Sequence, residues 1–308
     1  MLYEDDFRES AMRWQKGRRS ENVEDRRGES GGGGLGGLGN LLAIAPFLLR
    51  SKKGWLILAA IAAFYFFFGN GNLFQSAPPQ TQVPDTAGGQ PAQPSDVVAD
   101  FVSVVLADTE DTWTQVFATA GAQYTPPKLV LYDDMIRSAC GLNSAAVGPF
   151  YCPGDGKVYL DLGFLNELKR LGAPGDFAFA YVIAHEVGHH VQNLLGTSQK
   201  VQQARMQSDK ATANRLSVML ELQADCFAGV WAFYAHRDRQ LLEPGDIEEG
   251  INAAAAVGDD RLQRKSGRAV SPDSFTHGSA QQRAYWFRRG FESGDVNQCN
   301  TFAALSGQ

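Results

Sequence analysis

Apolar and polar positions change their rhythm along the 308-residue chain, and the changes mark its regions. Residues 1–53 show no periodic apolar pattern. Residues 54–74 hold an unbroken apolar run, Trp55 to Phe68, without a single charge. Residues 75–97 are rich in Pro and Gln and again aperiodic. From residue 98 to 308, apolar positions recur mostly at helical spacing, interrupted by short apolar runs that read as strands. Amphipathic helices are predicted over 95–106, with Ser95 as N-cap, and over 111–118. A strand is predicted over 128–132. Two apolar runs, 147–152 and 157–162, flank Pro153-Gly154-Asp155-Gly156 and read as a β-hairpin. Asp161 is placed to cap a helix ending near Leu171. After the break at Gly172-Ala173-Pro174-Gly175, helices are predicted over 176–195, from Lys200 or Ala211 to Ala235, and over 247–257 and 279–292. The fold class is α+β, helices dominating, with a small sheet.

The apolar run and its flanks set an expected domain order. Residues 1–53 carry ten Lys/Arg, eight Asp/Glu and seven Gly between positions 31 and 39. Such a tract does not offset its own ordering entropy and reads as a flexible, solvated tail. With its neighbours the run 54–74 reaches the length of a bilayer span, about 20 residues. The long charged region before it argues against a cleaved signal peptide. Arg50, Lys52 and Lys53 precede the run, and no Lys or Arg follows until Lys128. The positive-inside rule then predicts a cytoplasmic N-terminus and a body outside. Residues 75–97 read as an extended spacer. A net charge of −6 argues against a nucleic-acid partner.

All four cysteines, Cys140, Cys152, Cys226 and Cys299, follow the run. An even number on the outer side of a membrane predicts two disulfides. Cys140 and Cys152 enclose a short loop and are expected to pair, leaving Cys226 to join a central helix to Cys299 in the C-terminal tail.

The chemistry concentrates in His185-Glu186-Val187-Gly188-His189-His190, which holds three of the five histidines. His185 and His189 are one helical turn apart on one face, so two imidazoles can bind one Zn²⁺ per chain. Glu186 is placed to take a proton from a water that the metal acidifies. Gly188 leaves room for another segment to approach. Gln192 and Leu195 occupy the positions where a metzincin would have Gly and His, which excludes that class. The next long helix offers Glu221 in an apolar setting, a candidate third ligand. Asp225, one turn on, can accept a hydrogen bond from a ligand imidazole. His277 is a candidate donor to an oxyanion, and Arg283 can pair with Asp225 or Glu221. His190 and His236 read as structural.

On these residues the chain resembles the putative neutral zinc metallopeptidase family of single-span bacterial membrane proteins, and the wider gluzincins. The matching stretches are Gly148-Pro149-Phe150-Tyr151-Cys152-Pro153, Val158-Tyr159-Leu160-Asp161, the histidine motif, Glu221-Leu222-Gln223-Ala224-Asp225-Cys226 and His277-Gly278-Ser279-Ala280. The resemblance implies that His185, His189 and Glu221 bind zinc and that Glu186 is the general base. It implies a zincin-like fold whose hairpin borders a cleft, to which an extended peptide or protein substrate could add as a strand. The alternative function is an inactive zincin-like binding or assembly module of the cell envelope.

Overall fold

The computed structural model describes residues 12–28, 96–144 and 148–303. Among them are eight α-helices and two small sheets. Helix α1 (Asp96–Thr119) is one element where the sequence suggested two. The polar residues that looked like a break, Asp108, Thr109 and Glu110, are buried; Thr109 donates to Leu106 O within the helix, and the two acids are partnered from far along the chain. Asp108 accepts from Trp231 Nε1 (2.7 Å) and from Arg239. Glu110 accepts from Ser20 Oγ (2.5 Å), Asn22 Nδ2 (2.8 Å) and Arg18 Nη2 (2.9 Å). Local polarity therefore marked long-range bonds and not a turn.

The main sheet has four strands. The predicted strand β2 (Lys128–Tyr132) runs parallel to β6 (Lys157–Asp161), and β6 pairs antiparallel with β5 (Phe150–Cys152), giving the expected hairpin. A second hairpin, β3 (Met135–Ser138) with β4 (Gly141–Ser144), was not predicted; its short strands lack apolar alternation. Asp161 does not cap the next helix directly. It accepts from Gly163 N and from Asp134 N, and α2 (Phe164–Leu171) starts after Gly163.

The fourth strand is a correction. Val23–Asp25 forms β1, parallel to β2 and in register with Leu129–Leu131. Residues 12–28 thus belong to the folded body and are not a flexible tail. Met12 and Trp14 are buried in the main core. The charges that made this stretch look solvated are paired one by one: Arg18 with Glu110 and Asp111, Arg19 with Asp100, and Glu24 with Lys128 and Lys157. The described residues of the N-terminal segment, 12–28, belong to the same compact unit as the rest of the described body. A strand cannot pair across a bilayer, so residues 12–28 and the body lie on one side of any membrane. The expected order, N-terminus inside and body outside through a single span, does not survive this pairing. The apolar run 54–74, the glycine tract, the spacer up to residue 95 and Ser95 lie outside the described residues.

The helical layer carries the motifs. Helix α3 (Asp176–Leu194) is buried almost all round. Helix α5 (Lys210–Arg237) matches the later of the two starts read from the sequence, and α4 (Thr197–Met206) is a separate helix before it; Asp209 caps α5 by accepting from Thr212 N (2.7 Å). Helix α5 is the one described helix long and apolar enough to cross a membrane. It is instead a core helix, with 61% of its apolar window buried. Helices α6 (Asp246–Ala256), α7 (Asp259–Lys265) and α8 (Ala280–Ser293) complete the layer, and α8 begins with the Ser279/Gln282 capping box. Helices α5 and α8 pack backbone to backbone: a Cβ on Gly290 would lie 2.0 Å from the Cys226 carbonyl, and one on Gly229 would lie 2.0 Å from the Phe287 carbonyl. Both disulfides form as expected, Cys140–Cys152 and Cys226–Cys299.

Glu110 ties the N-terminal segment to α1. Glu110→Ala leaves Ser20 and Asn22 without their acceptor, and is expected to cost about 2 kcal/mol of stability. Denaturant unfolding of the full chain measures it; unchanged stability would mean the segment is not held this way.

Candidate metal centre

Two helices bring the donors together. The His185, Glu186 and His189 side chains come from α3, and Glu221 and Asp225 come from α5. The helices approach closely at Gly188, where an added Cβ would sit 3.0 Å from the Ala224 carbonyl oxygen and 3.2 Å from its Cα. The room that the sequence assigned to Gly188 is thus filled by α5, one turn from the imidazoles.

His185 Nε2 lies 3.2 Å from Glu221 Oε2, and His189 Nε2 lies 3.5 Å from Glu221 Oε1. One donor atom from each of the three residues falls within 4.8 Å of the others. Each imidazole is oriented through its other nitrogen. His185 Nδ1 is 2.9 Å from Asp225 Oδ1, and His189 Nδ1 is 2.9 Å from Gln192 Oε1. The Gln192 amide is fixed by donating to Leu220 O (2.7 Å) and Gln223 Oε1 (3.1 Å), so its oxygen faces the ring. With each Nδ1 placed to donate to these oxygens, a neutral imidazole would turn its Nε2 lone pair toward the Glu221 carboxylate. Arg283 Nη2 also lies 3.4 Å from His185 Nδ1, but the shorter carboxylate contact decides where the proton sits.

Asp225 is fully buried. It accepts from His185, from Tyr181 Oη, and from Arg283 Nε (2.8 Å) and Nη2 (2.9 Å). Of the two partners open to Arg283, the structure selects Asp225. Burial works against the Asp225 charge, but Arg283 and His185 outweigh it and hold the carboxyl below its ordinary range. Burial raises the Tyr181 phenol well above its usual value, so Tyr181 remains a donor.

The three donors fit a divalent cation on their own chemistry. Burial disfavours charge on His185, yet Asp225 and Glu221 overcome it and push the imidazole up to about 9. Burial also opposes ionisation of Glu221, and the two histidines reverse this and hold it well below the ordinary carboxylate range. The cluster demands positive charge between its members. Two imidazole nitrogens and one carboxylate are a donor set suited to zinc.

The centre lines a cleft of about 1390 Å³ together with Glu186, His277 and Tyr151. Among the described residues nothing bonds the Glu186 carboxylate, which leaves it available to a substrate or water. His277, half exposed, also lines the cleft. Its Nδ1 is 3.3 Å from Asp259 Oδ1, while Asp259 Oδ2 accepts the backbone N–H groups of Thr276 (2.7 Å), His277 (2.7 Å) and Gly278 (3.0 Å). Asp259 thus shapes the loop and raises the His277 imidazole above its ordinary value. His190 points away from the centre, to Thr125 O (2.7 Å) and Tyr151 Oη (3.1 Å), and joins α3 to the edge strand β5. His236 packs its ring against Phe291. Both match their structural reading.

Sequence reasoning missed Tyr181, Gln192 and Asp259. Tyr181 and Gln192 lie four residues before His185 and three after His189, a helical spacing that pointed to them. Asp259 left no local signal, because its loop arrives from 18 residues away.

The chain is 52% identical to the uncharacterized protein YpfJ of Escherichia coli K12 over 293 residues, covering 94% of this chain and 99% of that protein. It is 43% identical over 215 residues to the uncharacterized protein Rv2575 of Mycobacterium tuberculosis H37Rv, covering 66% of this chain and 72% of that one. No solved structure matches. The family described as "Putative neutral zinc metallopeptidase" matches residues 12–302, nearly the whole described body, and the chain belongs to that family.

Proposed function

We propose that the protein is a membrane-anchored, zinc-dependent endopeptidase with a zincin-like body, acting on peptide or protein substrates. The observation that carries this reading is the shared orientation of His185 Nε2, His189 Nε2 and Glu221 in a cleft that also holds an unbonded Glu186. When bound by these three residues, zinc supplies Lewis acidity and brings a water within reach of deprotonation near neutral pH. The chain's own groups supply the rest. Glu186 accepts the proton of the attacking water and returns it to the departing amine. His277, oriented by Asp259, donates to the oxygen of the attacked carbonyl. Asp225, Tyr181 and Arg283 keep the His185 ring in place. Among the described residues strand β5 is paired on one side only, by β6, and its Phe150 and Tyr151 line the cleft, so an extended peptide can bond along it. An open strand edge favours cutting within a chain rather than at its end.

The two disulfides support an extracytoplasmic body. Membrane attachment rests on the apolar run 54–74 of the sequence, and both flanks of that region return to the same folded unit.

Glu186→Gln is expected to lower peptide hydrolysis by a hundredfold or more, about the size of one lost general base. The zinc content should be unchanged. Hydrolysis retained by the variant would contradict the assignment. A wild-type chain that binds zinc and cuts no member of a diverse peptide library would point to the binding module.

No cysteine of the described body is free, so an added one can be labelled selectively. In intact spheroplasts, a membrane-impermeant maleimide should label Glu21→Cys and Glu292→Cys equally. Labelling at 292 alone would contradict the common side.

A further inference from the structure

A second cluster of acidic groups lies away from the cleft, at the opposite end of α3. Asp176 opens α3, and Asp246 and Glu249 lie in the first turn of α6. Each offers an oxygen within 4.8 Å of the others. Asp246 is fully buried and Asp176 nearly so. Gly175 makes the packing possible: a Cβ there would lie 2.0 Å from Glu249 Oε2, and its φ of +122° suits glycine alone. Asp246 Oδ2 accepts from Glu243 N (2.8 Å), and Glu249 accepts from the first N–H groups of α3, Phe177 and Ala178.

Two buried oxygens remain without a partner, Asp246 Oδ1 and Glu249 Oε2. No lysine or arginine is paired with either residue among those described. Burial and the mutual repulsion of the three carboxyls push Asp246 up to about 6 and Glu249 up to about 7. Among the described residues no cationic group reaches these two oxygens.

One main-chain nitrogen reaches it. Met12 N donates to Asp176 Oδ2 at 3.1 Å, and the Met12 side chain is 1% exposed. Its neighbour is anchored beside it: Arg13 N donates to Leu241 O (2.8 Å), and the Arg13 guanidinium pairs with Glu243. As an internal amide, Met12 N has one hydrogen. As a chain terminus it would be an ammonium with three, matching Asp176 and the two unpartnered oxygens. The family match also starts at residue 12, and the Escherichia coli relative aligns over 99% of its own length.

We propose that the Asp176, Asp246 and Glu249 cluster is a receptor for the α-ammonium group of a chain that begins at Met12. The bound ammonium joins the N-terminal segment to the base of the helix that carries His185, Glu186 and His189. This inference is independent of peptidase activity.

The test starts with mass spectrometry of the protein made from its own chromosomal locus. A first residue of Met12 with a free amine is expected, and a first residue of Met1 would overturn the proposal. Residues 12–308 and 1–308 are then compared by denaturant unfolding at pH 7, each as wild type, Asp246→Asn and Glu249→Gln. The Met12-initiated form should have an unfolding equilibrium constant about tenfold or more lower than the longer form, the size of a charged buried hydrogen bond. The difference should vanish in both variants, although each is destabilised on its own. Equal stability of the two forms, or a difference that persists in the variants, would overturn the proposal. So would a second equivalent of divalent metal that survives His185→Ala and disappears in Asp246→Asn, since the cluster would then be a metal site.

Discussion

Three electron-pair donors must be held facing one another in a protein interior, and the body is organised around that constraint. Two imidazole nitrogens and a carboxylate do not stay together without help. Each imidazole is held by its far nitrogen, His185 by Asp225 and His189 by Gln192. Asp225 is itself a buried charge, and it is tolerated because Arg283 and Tyr181 bond it from two other directions. Helix α8 is drawn in to deliver Arg283, and the glycine contacts at Gly229 and Gly290 let it lie directly on α5. The Gly188–Ala224 approach then sets the spacing of α3 and α5. Remove the need for facing donors, and the small residues on these three helices lose their common reason.

The same logic explains which parts were legible from sequence. The three candidate donors were readable because each motif lies within one helix, where a spacing of three or four residues means one face. The hairpin at β5–β6 was readable because Gly and Pro bracket two apolar runs. The start of α8 was readable too, within a residue, because its cap and first turn are local in the chain. Asp209, the cap of α5, went unread because the polar stretch around it offered several starts.

What failed to read was made of polar residues paired over long distances. Asp108 and Glu110 looked like a break in a helix, and Arg18, Arg19 and Glu24 looked like a solvated tail. Their partners lie about 80 to 130 residues away, beyond any local pattern. Strand β1 is three residues long and carries two acids, so β-propensity gave no signal for it. Its consequence is large, because a strand in the sheet fixes which side of a membrane it occupies. The charge asymmetry around the apolar run is real, but sheet pairing is the stronger constraint.

The central claim is that His185, His189 and Glu221 form one metal site. Its most direct test is the zinc content of the full chain, purified without chelator, beside His185→Ala and Glu221→Ala. About one zinc per wild-type chain is expected, lost in both variants while their fold is kept. Zinc retained equally by the variants, or none bound by the wild type even when zinc is supplied, would contradict the account.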